Sequence, residues 1–290
     1  MDLNLLRDTP PWDWPKGAGN TFLSVLKDRL APLSDRLIAA ELAGDFTAIN
    51  DDLAQALMAV LQDSGEPEEL RANAAIAFGA ALEAGRAEFD EELQEFDDDE
   101  MVPIGLETFL EIRELLKALY ADANIPKVVR RRILEAAVRA PEPWQQDATK
   151  AAYASGDRDW ILTAVFAMRF VEGFENEILE ALKTTDPEIH IEAVLAAGEE
   201  ELDAAWPHVS KLAKDGRTEK DLRIAAIGAI GSIRPEEAQD ILIKLTDSKD
   251  EDIAEAADEA LSMILPDDFG DEEEGDEDDD EDEDEDDEEE

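Results

Sequence analysis

Leu222-Arg223-Ile224-Ala225-Ala226-Ile227-Gly228-Ala229-Ile230-Gly231 is one copy of a residue code that recurs along this chain, and Leu70-Arg71-Ala72-Asn73-Ala74-Ala75-Ile76-Ala77-Phe78-Gly79 is another. Taking the first residue as a slot, equivalent slots fall at Asp35, Leu70, Val129, Trp160, Ile189, Leu222 and Ile253. Arginine follows at once in four copies (Arg36, Arg71, Arg130, Arg223), and alanines recur four and seven residues after the slot. Glycine stands nine after it at Gly44, Gly79, Gly198 and Gly231. The slots lie 35, 59, 31, 29, 33 and 31 residues apart, so the long gap is one period plus an insertion. A repeat of this length predicts a solenoid of stacked helix pairs.

Working outward, the segments between the copies carry their own apolar stripes at three- and four-residue spacing, the mark of one helix face. They are Phe46, Ile49, Leu53, Leu57, Val60; Leu106, Phe109, Leu110, Leu116, Leu119; Phe174, Ile178, Leu182; Leu202, Trp206, Val209, Leu212; and Ala238, Ile241, Leu242, Leu245. The stripe of 144–154 is mostly alanine. No stretch alternates as a strand does, so the expected fold class is all-α, an alpha-alpha superhelix of about seven helix pairs over residues 18–266. Small residues in the code let paired helices approach closely. Asp186-Pro187 reads as an N-cap before proline at the first helical position. Thr218 with Asp221 reads as a variant capping box, and Gly198 and Gly216 suit left-handed C-caps.

Residues 1–17 contain Pro10-Pro11-Trp12-Asp13-Trp14-Pro15, too proline-dense for a helix. This segment is expected to be extended or a turn, with both tryptophans folded over the first pair as a terminal cap. Two acidic stretches interrupt the order. One lies within an insertion at about 86–103, expected as a long loop or helix extension. The other is the tail 267–290, whose 24 residues hold 21 acidic and no basic side chains, too few apolar groups to order themselves.

Net charge is −51, and −30 without the tail. Such a chain repels phosphate backbones and anionic membranes and favours basic or mixed-charge protein partners. With no cysteine, disulfides, thiolate zinc sites and cysteine nucleophiles are excluded. The first residues lack the basic start and apolar run of a secretory signal, and the densest apolar run, 160–168, is too short to span a bilayer. The expected location is cytoplasmic.

An aliphatic slot followed by arginine, spaced alanines and a closing glycine resembles the HEAT-repeat superfamily. The likeness covers about residues 18–265 and is clearest in the two stretches quoted above. With its Pro-Pro-Trp-Asp-Trp-Pro opening, the chain resembles short bacterial HEAT-repeat proteins. The resemblance implies a scaffold that holds proteins along a curved surface. The chain departs from the pattern where Ile161, His190 and Ala254 replace the arginine and where Val138 and Arg169 replace the glycine; those units should depart locally in geometry.

No catalytic constellation stands out, and no cofactor is expected. The only histidines are His190, in an arginine slot, and His208; each is expected to pack or hydrogen-bond within its own repeat rather than bind a metal. Some HEAT-like proteins are di-iron hydroxylases built on several His-Glu pairs, but no histidine here precedes glutamate. Nothing positively marks a HEAT-like lyase. Gly17-Ala18-Gly19 lacks the strand and lysine of a phosphate loop. Paired carboxylates carry little information in so acidic a chain.

Candidate protein-binding residues are Trp144, Arg131 and Arg132. The arginines belong to the basic cluster Lys127, Arg130, Arg131, Arg132, Arg139 and have no repeat duty assigned by the code. They read as solvated charges balancing a local helix, as contacts for the chain's own acidic segments, or as contacts for an acidic partner. Trp160 and Trp206 read as core, and Trp144 as the tryptophan best placed for partial exposure. The leading expectation is therefore a non-enzymatic scaffold. The alternative is an acidic chaperone-like or nucleic-acid-mimic binder acting through the tail.

Overall fold

The computed structural model describes residues 1–89 and 102–264. The expectations for the acidic run at 90–100 and for the tail lie outside the described residues.

Seven helix pairs follow a short N-terminal helix, α1 (Leu3–Arg7). They are α2 (Ala18–Lys27) with α3 (Leu33–Leu42), α4 (Asp51–Gln62) with α5 (Glu68–Ile76), and, after the extra helix α6 (Gly79–Phe89), α7 (Leu106–Ala121) with α8 (Lys127–Ala137). Next come α9 (Pro143–Tyr153) with α10 (Arg158–Ala167), α11 (Glu175–Ala181) with α12 (Pro187–Glu199), α13 (Trp206–Lys214) with α14 (Lys220–Ile233), and α15 (Pro235–Thr246) with α16 (Glu251–Ile264). The second helix of each pair carries the code, and no strand occurs among the described residues. The insertion is thus partly helical: α6 continues α5 after a break at Ala77 and Phe78.

Consecutive coded helices pack directly on one another, and the code explains how. A Cβ on Gly44 would lie 2.6 Å from Ala77 Cα, and one on Gly198 would lie 2.9 Å from Ala229 Cβ. A Cβ on Gly231 would meet Ala260 O at 3.5 Å. The glycine nine after one slot therefore seats against the alanine seven after the next, with backbones almost touching. In the second unit Gly79 faces Arg139 of the third instead. The outer helices carry Leu, Ile and Phe and stand further apart. A stack that is short on one side curves, with the coded helices on its inner face. Gly198 accordingly lies inside α12 as a packing residue, not a left-handed C-cap; the left-handed residue there is Glu201, at φ 47°. Gly216 is not left-handed either.

Where it is present, the slot arginine ties its pair internally. Arg71 Nε donates to Leu61 O at 2.9 Å, Arg130 Nε to Tyr120 O at 2.9 Å, and Arg223 Nε to Ala213 O at 3.0 Å. Arg36 Nη2 reaches Leu26 O at 3.2 Å. Each acceptor is the penultimate residue of the preceding outer helix, whose last carbonyls have no partner inside their own helix. An aspartate closes each of these helices: Asp28, Asp63, Asp122 and Asp215 accept from the backbone two residues on, at 2.8–3.0 Å. Asp215 is held down at about 2 by its bonds from the Arg217 side chain and backbone. Prolines 32, 67 and 126 then start the coded helix, with Glu219 in that place in the sixth unit. Glu219 accepts from Leu222 N, while Thr218 turns back to Leu212 O, so the expected Thr218 box does not form.

The proline-rich opening is a single 3-10 turn, Pro11–Asp13, because fixed proline φ suits a turn start as well as an extended chain. Trp14 does fold over the first pair: its ring meets Phe22 edge-on at 5.4 Å, and Nε1 donates to Leu6 O and Thr9 O. Trp12 points outward and is 80% exposed; Leu3 and Leu6 of α1 cover the end instead.

Candidate functional site

Each internal coded helix is covered on three sides, by its outer partner and by two coded neighbours; α3 and α16, at the ends, have one coded neighbour each. The fourth side, two, six and ten residues after the slot, faces the inner surface. Read along the solenoid this stripe changes character. It holds Leu37, Glu41 and Asp45 in the first unit and Arg131, Glu135 and Arg139 in the third. The fourth to sixth units present the half-buried apolar side chains Leu162, Phe166, Phe170, Ile191, Leu195 and Ile224. Glu255, Glu259 and the exposed Met263 close the seventh. At the N-terminal end the stripe runs into a groove of about 470 Å³ between Arg7, Pro11 and Trp14 on one wall and Glu41, Asp45, Asn73 and Ile76 on the other.

Arginines flank the aromatic part. Phe166 and Phe170 sit 5.4 Å apart, with the Arg139 guanidinium 5.8 and 5.3 Å and the Arg169 guanidinium 5.6 Å from their centroids. Cations this close to ring faces are held by the aromatic quadrupole. Arg139 Nη1 also bonds Glu83 at 2.6 Å, and Arg169 lies 3.3 Å from Glu199 and 3.7 Å from Glu192. Arg169, which replaces the repeat glycine, thus works at the surface of the stripe. Burial pushes the Glu192 carboxyl above its ordinary range, with nearby Arg169 opposing and Glu135 adding to the rise.

The basic cluster is partnered within the fold, by the next repeat at Lys127 and Arg131 and by its own helix at Arg132. Lys127 Nζ bonds Asp157 at 2.6 Å and Asp159 at 3.0 Å, which holds both carboxylates below their usual range. Arg130 lies 5.0 Å from the Tyr120 ring and 5.7 Å from the Trp160 ring. Arg131 Nε donates to Thr163 Oγ1 at 2.8 Å, and Arg132 Nη1 to the buried Glu135 at 2.6 Å. Glu135 accepts from Thr163 Oγ1 as well. Arg131 is 17% exposed and Arg132 49%, so Arg132 is the more open of the two. The duty missing from the code is this bridge between the third and fourth units. Its signal was legible: a base two before one slot faces acids three and one before the next. Arg158 with Asp186 and Glu188, and Lys220 with Asp250 and Asp252, follow the same rule.

Trp144 is half-buried on the outer layer. Its ring lies 5.2 Å from Tyr120, its Nε1 donates to Glu142 Oε2 at 3.1 Å, and it packs against both halves of the core. Trp160 and Trp206 are also half-buried. The three candidate residues do not converge: Arg131 and Arg132 border the inner stripe, and Trp144 belongs to the outer helices. His190, expected to bond within its own repeat, instead reaches the following outer helix, where its Nε2 lies 3.0 Å from His208 Nε2. No helix among the described residues is long and apolar enough to cross a membrane.

No protein-family model matches the chain, and no curated protein does. Among solved structures it is similar to human deoxyhypusine hydroxylase in complex with glycerol, at 18% identity, covering 88% of this chain and 86% of that one, with a TM-score of 0.40. It is similar to the complex of CpcE and CpcF of phycocyanin lyase from a Nostoc species, at 16% identity, covering 89% and 98%, with a TM-score of 0.47. A designed armadillo repeat protein matches at 17% identity over 84% and 99%, with a TM-score of 0.30. With the seven stacked pairs and the contacts that their spacing dictates, the described residues form an all-α solenoid of helix pairs.

Proposed function

We propose that this solenoid is a non-enzymatic scaffold that binds a protein partner along its inner face. The observation that carries the reading is the run Leu162, Phe166, Phe170, Ile191, Leu195 and Ile224, half-open on the inner stripe and edged by Arg139 and Arg169. Aromatic and arginine side chains set among apolar neighbours are the composition of interface anchors. Arg131 and Arg132 extend its basic edge. The acidic exterior steers basic or mixed-charge partners and disfavours nucleic acid and anionic membranes. A cytoplasmic location fits the cysteine-free chain. The two histidines are too few for several His-Glu pairs, which favours a non-catalytic role.

A photo-crosslinking residue at Leu195, compared with one at Ile243 on the exposed side of α15, tests the proposal. Capture of a discrete partner from Leu195 alone is expected; equal capture from both positions overturns it. The acidic tail favours a second reading, a polyacid binder acting through 267–290. Deleting the tail separates the two: the scaffold retains its partner, and the polyacid binder loses it.

A further inference from the structure

The only two histidines of this 290-residue chain are brought into direct contact, although 18 residues separate them and neither lies on the inner stripe. His190 comes from the first turns of α12 and His208 from α13, so each is held by a helix. Their Nε2 atoms are 3.0 Å apart and the rings are tilted by 46°. In four other units the slot after the first residue holds an arginine bonded backward to its own outer helix; here it holds a ring that reaches forward to the next unit.

We propose that His190 and His208 form a two-ligand site for a divalent transition-metal ion of the imidazole-binding class, Cu²⁺ or Ni²⁺ ahead of Zn²⁺. At metal–nitrogen distances of about 2.05 Å, a nitrogen separation of 3.0 Å corresponds to an N–metal–N angle of about 94°. That is the cis angle of square-planar or tetragonal sites, and a tetrahedral ion needs the rings to part by only ~0.3 Å. Without metal the approach is a hydrogen bond from one ring's Nε2–H to the other's lone pair. On metal binding the donor ring moves its proton to Nδ1, both Nε2 lone pairs face the ion, and no net proton is released. Burial disfavours the charged form of both rings, keeping them in the neutral state that ligates. The negative field of a chain with net charge −51 concentrates cations, while Lys211 beside His208 opposes them. Among the described residues no three His, Asp or Glu side chains converge on one point, so water completes the coordination shell.

The test uses the full-length chain with no histidine tag, excess Ca²⁺ to occupy its carboxylates, and less than one equivalent of Cu²⁺. Electron spin-echo spectra are expected to show two imidazole nitrogens bound equatorially. Calorimetric titration with Ni²⁺ is expected to give one site per chain, weakened at least about tenfold in His190→Gln and in His208→Gln. Oxygen-only ligation in the unaltered chain, or equal Ni²⁺ affinity in folded variants, overturns the proposal. Should a variant fail to fold, the nitrogen count in the unaltered protein decides alone.

Discussion

A single Cβ separates two kinds of glycine in this chain. Gly198 has Ala229 against it, whereas Gly228, six residues after the slot of its own coded helix, has nothing within 4 Å. Gly198→Ala is expected to force adjacent units apart and to cost about 1–3 kcal/mol, as overpacking does. Gly228→Ala is expected to stabilise by about 0.5–1 kcal/mol, because an exposed helical glycine only adds freedom to the unfolded chain. Urea denaturation of both variants checks the opposite signs. The histidine pair makes the second prediction at this scale. Burial sets both folded pKa values below the ordinary imidazole range, and for His190 its partner, for His208 Lys211, lowers them further. The unfolded chain therefore takes up protons first as pH falls, and stability attached to the pair is intact above about pH 6.5 and lost progressively below it. The thermal midpoint of His208→Gln is expected to fall less than that of the unaltered protein between pH 7.5 and 5.5; parallel losses contradict the assignment.

At the scale of the element, each joint is a short programme written in a few residues. Asp186 illustrates it: the side chain accepts from Glu188 N and Ile189 N, opens α12 before Pro187, and receives the Arg158 guanidinium of the previous unit. One residue thus caps a helix and bridges two repeats. Asp186→Ala is expected to cost about 0.5–2 kcal/mol through the cap, read by chemical denaturation. Asp186→Asn, which keeps the cap and loses the charge, should recover most of that loss, since an exposed ion pair contributes little. The Asp–x–x–x–Pro joints at Asp28, Asp63 and Asp122 were visible in the sequence beside the slot arginines. They lie outside the helical code, because the aspartate and arginine that cooperate stand eight residues apart across a loop. The expected C-cap at Gly198 failed for a related reason, while Gly216 is neither left-handed nor packed closely against anything. A glycine near a helix end suits a left-handed residue or a close approach equally well, and only the neighbouring helix distinguishes them.

At the largest scale, the core of the described residues falls into two apolar clusters, one from Leu3 to Ala140 and one from Leu134 to Ala260. They meet in α8, where Ile133 belongs to the first and Leu134 to the second, and Tyr120 and Trp144 pack against both. A stack in which units touch only their neighbours has local stabilities joined by interface energies. Hydrogen exchange is therefore expected to show two cooperative groups, one led by α4 and α5 and the other by α12 and α14, with different opening free energies. Trp144→Ala should widen the gap between them by weakening the joint. A single exchange class for all helices would contradict this division.

The sequence by itself determined the helix type, the repeat length, the number of pairs and which residues face inward to the core, because those follow from local spacing and from side-chain size. It marked Gly198 and Gly231 as special without saying that alanines of the next unit would lie against them. It left Arg131 unassigned, since Thr163 becomes its neighbour only when successive units stack, whereas the partner of Arg132, Glu135, stands three residues on in the same helix. It also gave no reason for His190 and His208 to meet. Periodicity fixes what a helix offers to one side; what stands on that side is set by the turn and offset between units. That turn, set by glycine against alanine on the inner layer, brings the two imidazoles together and leaves the stripe from Leu162 to Ile224 open.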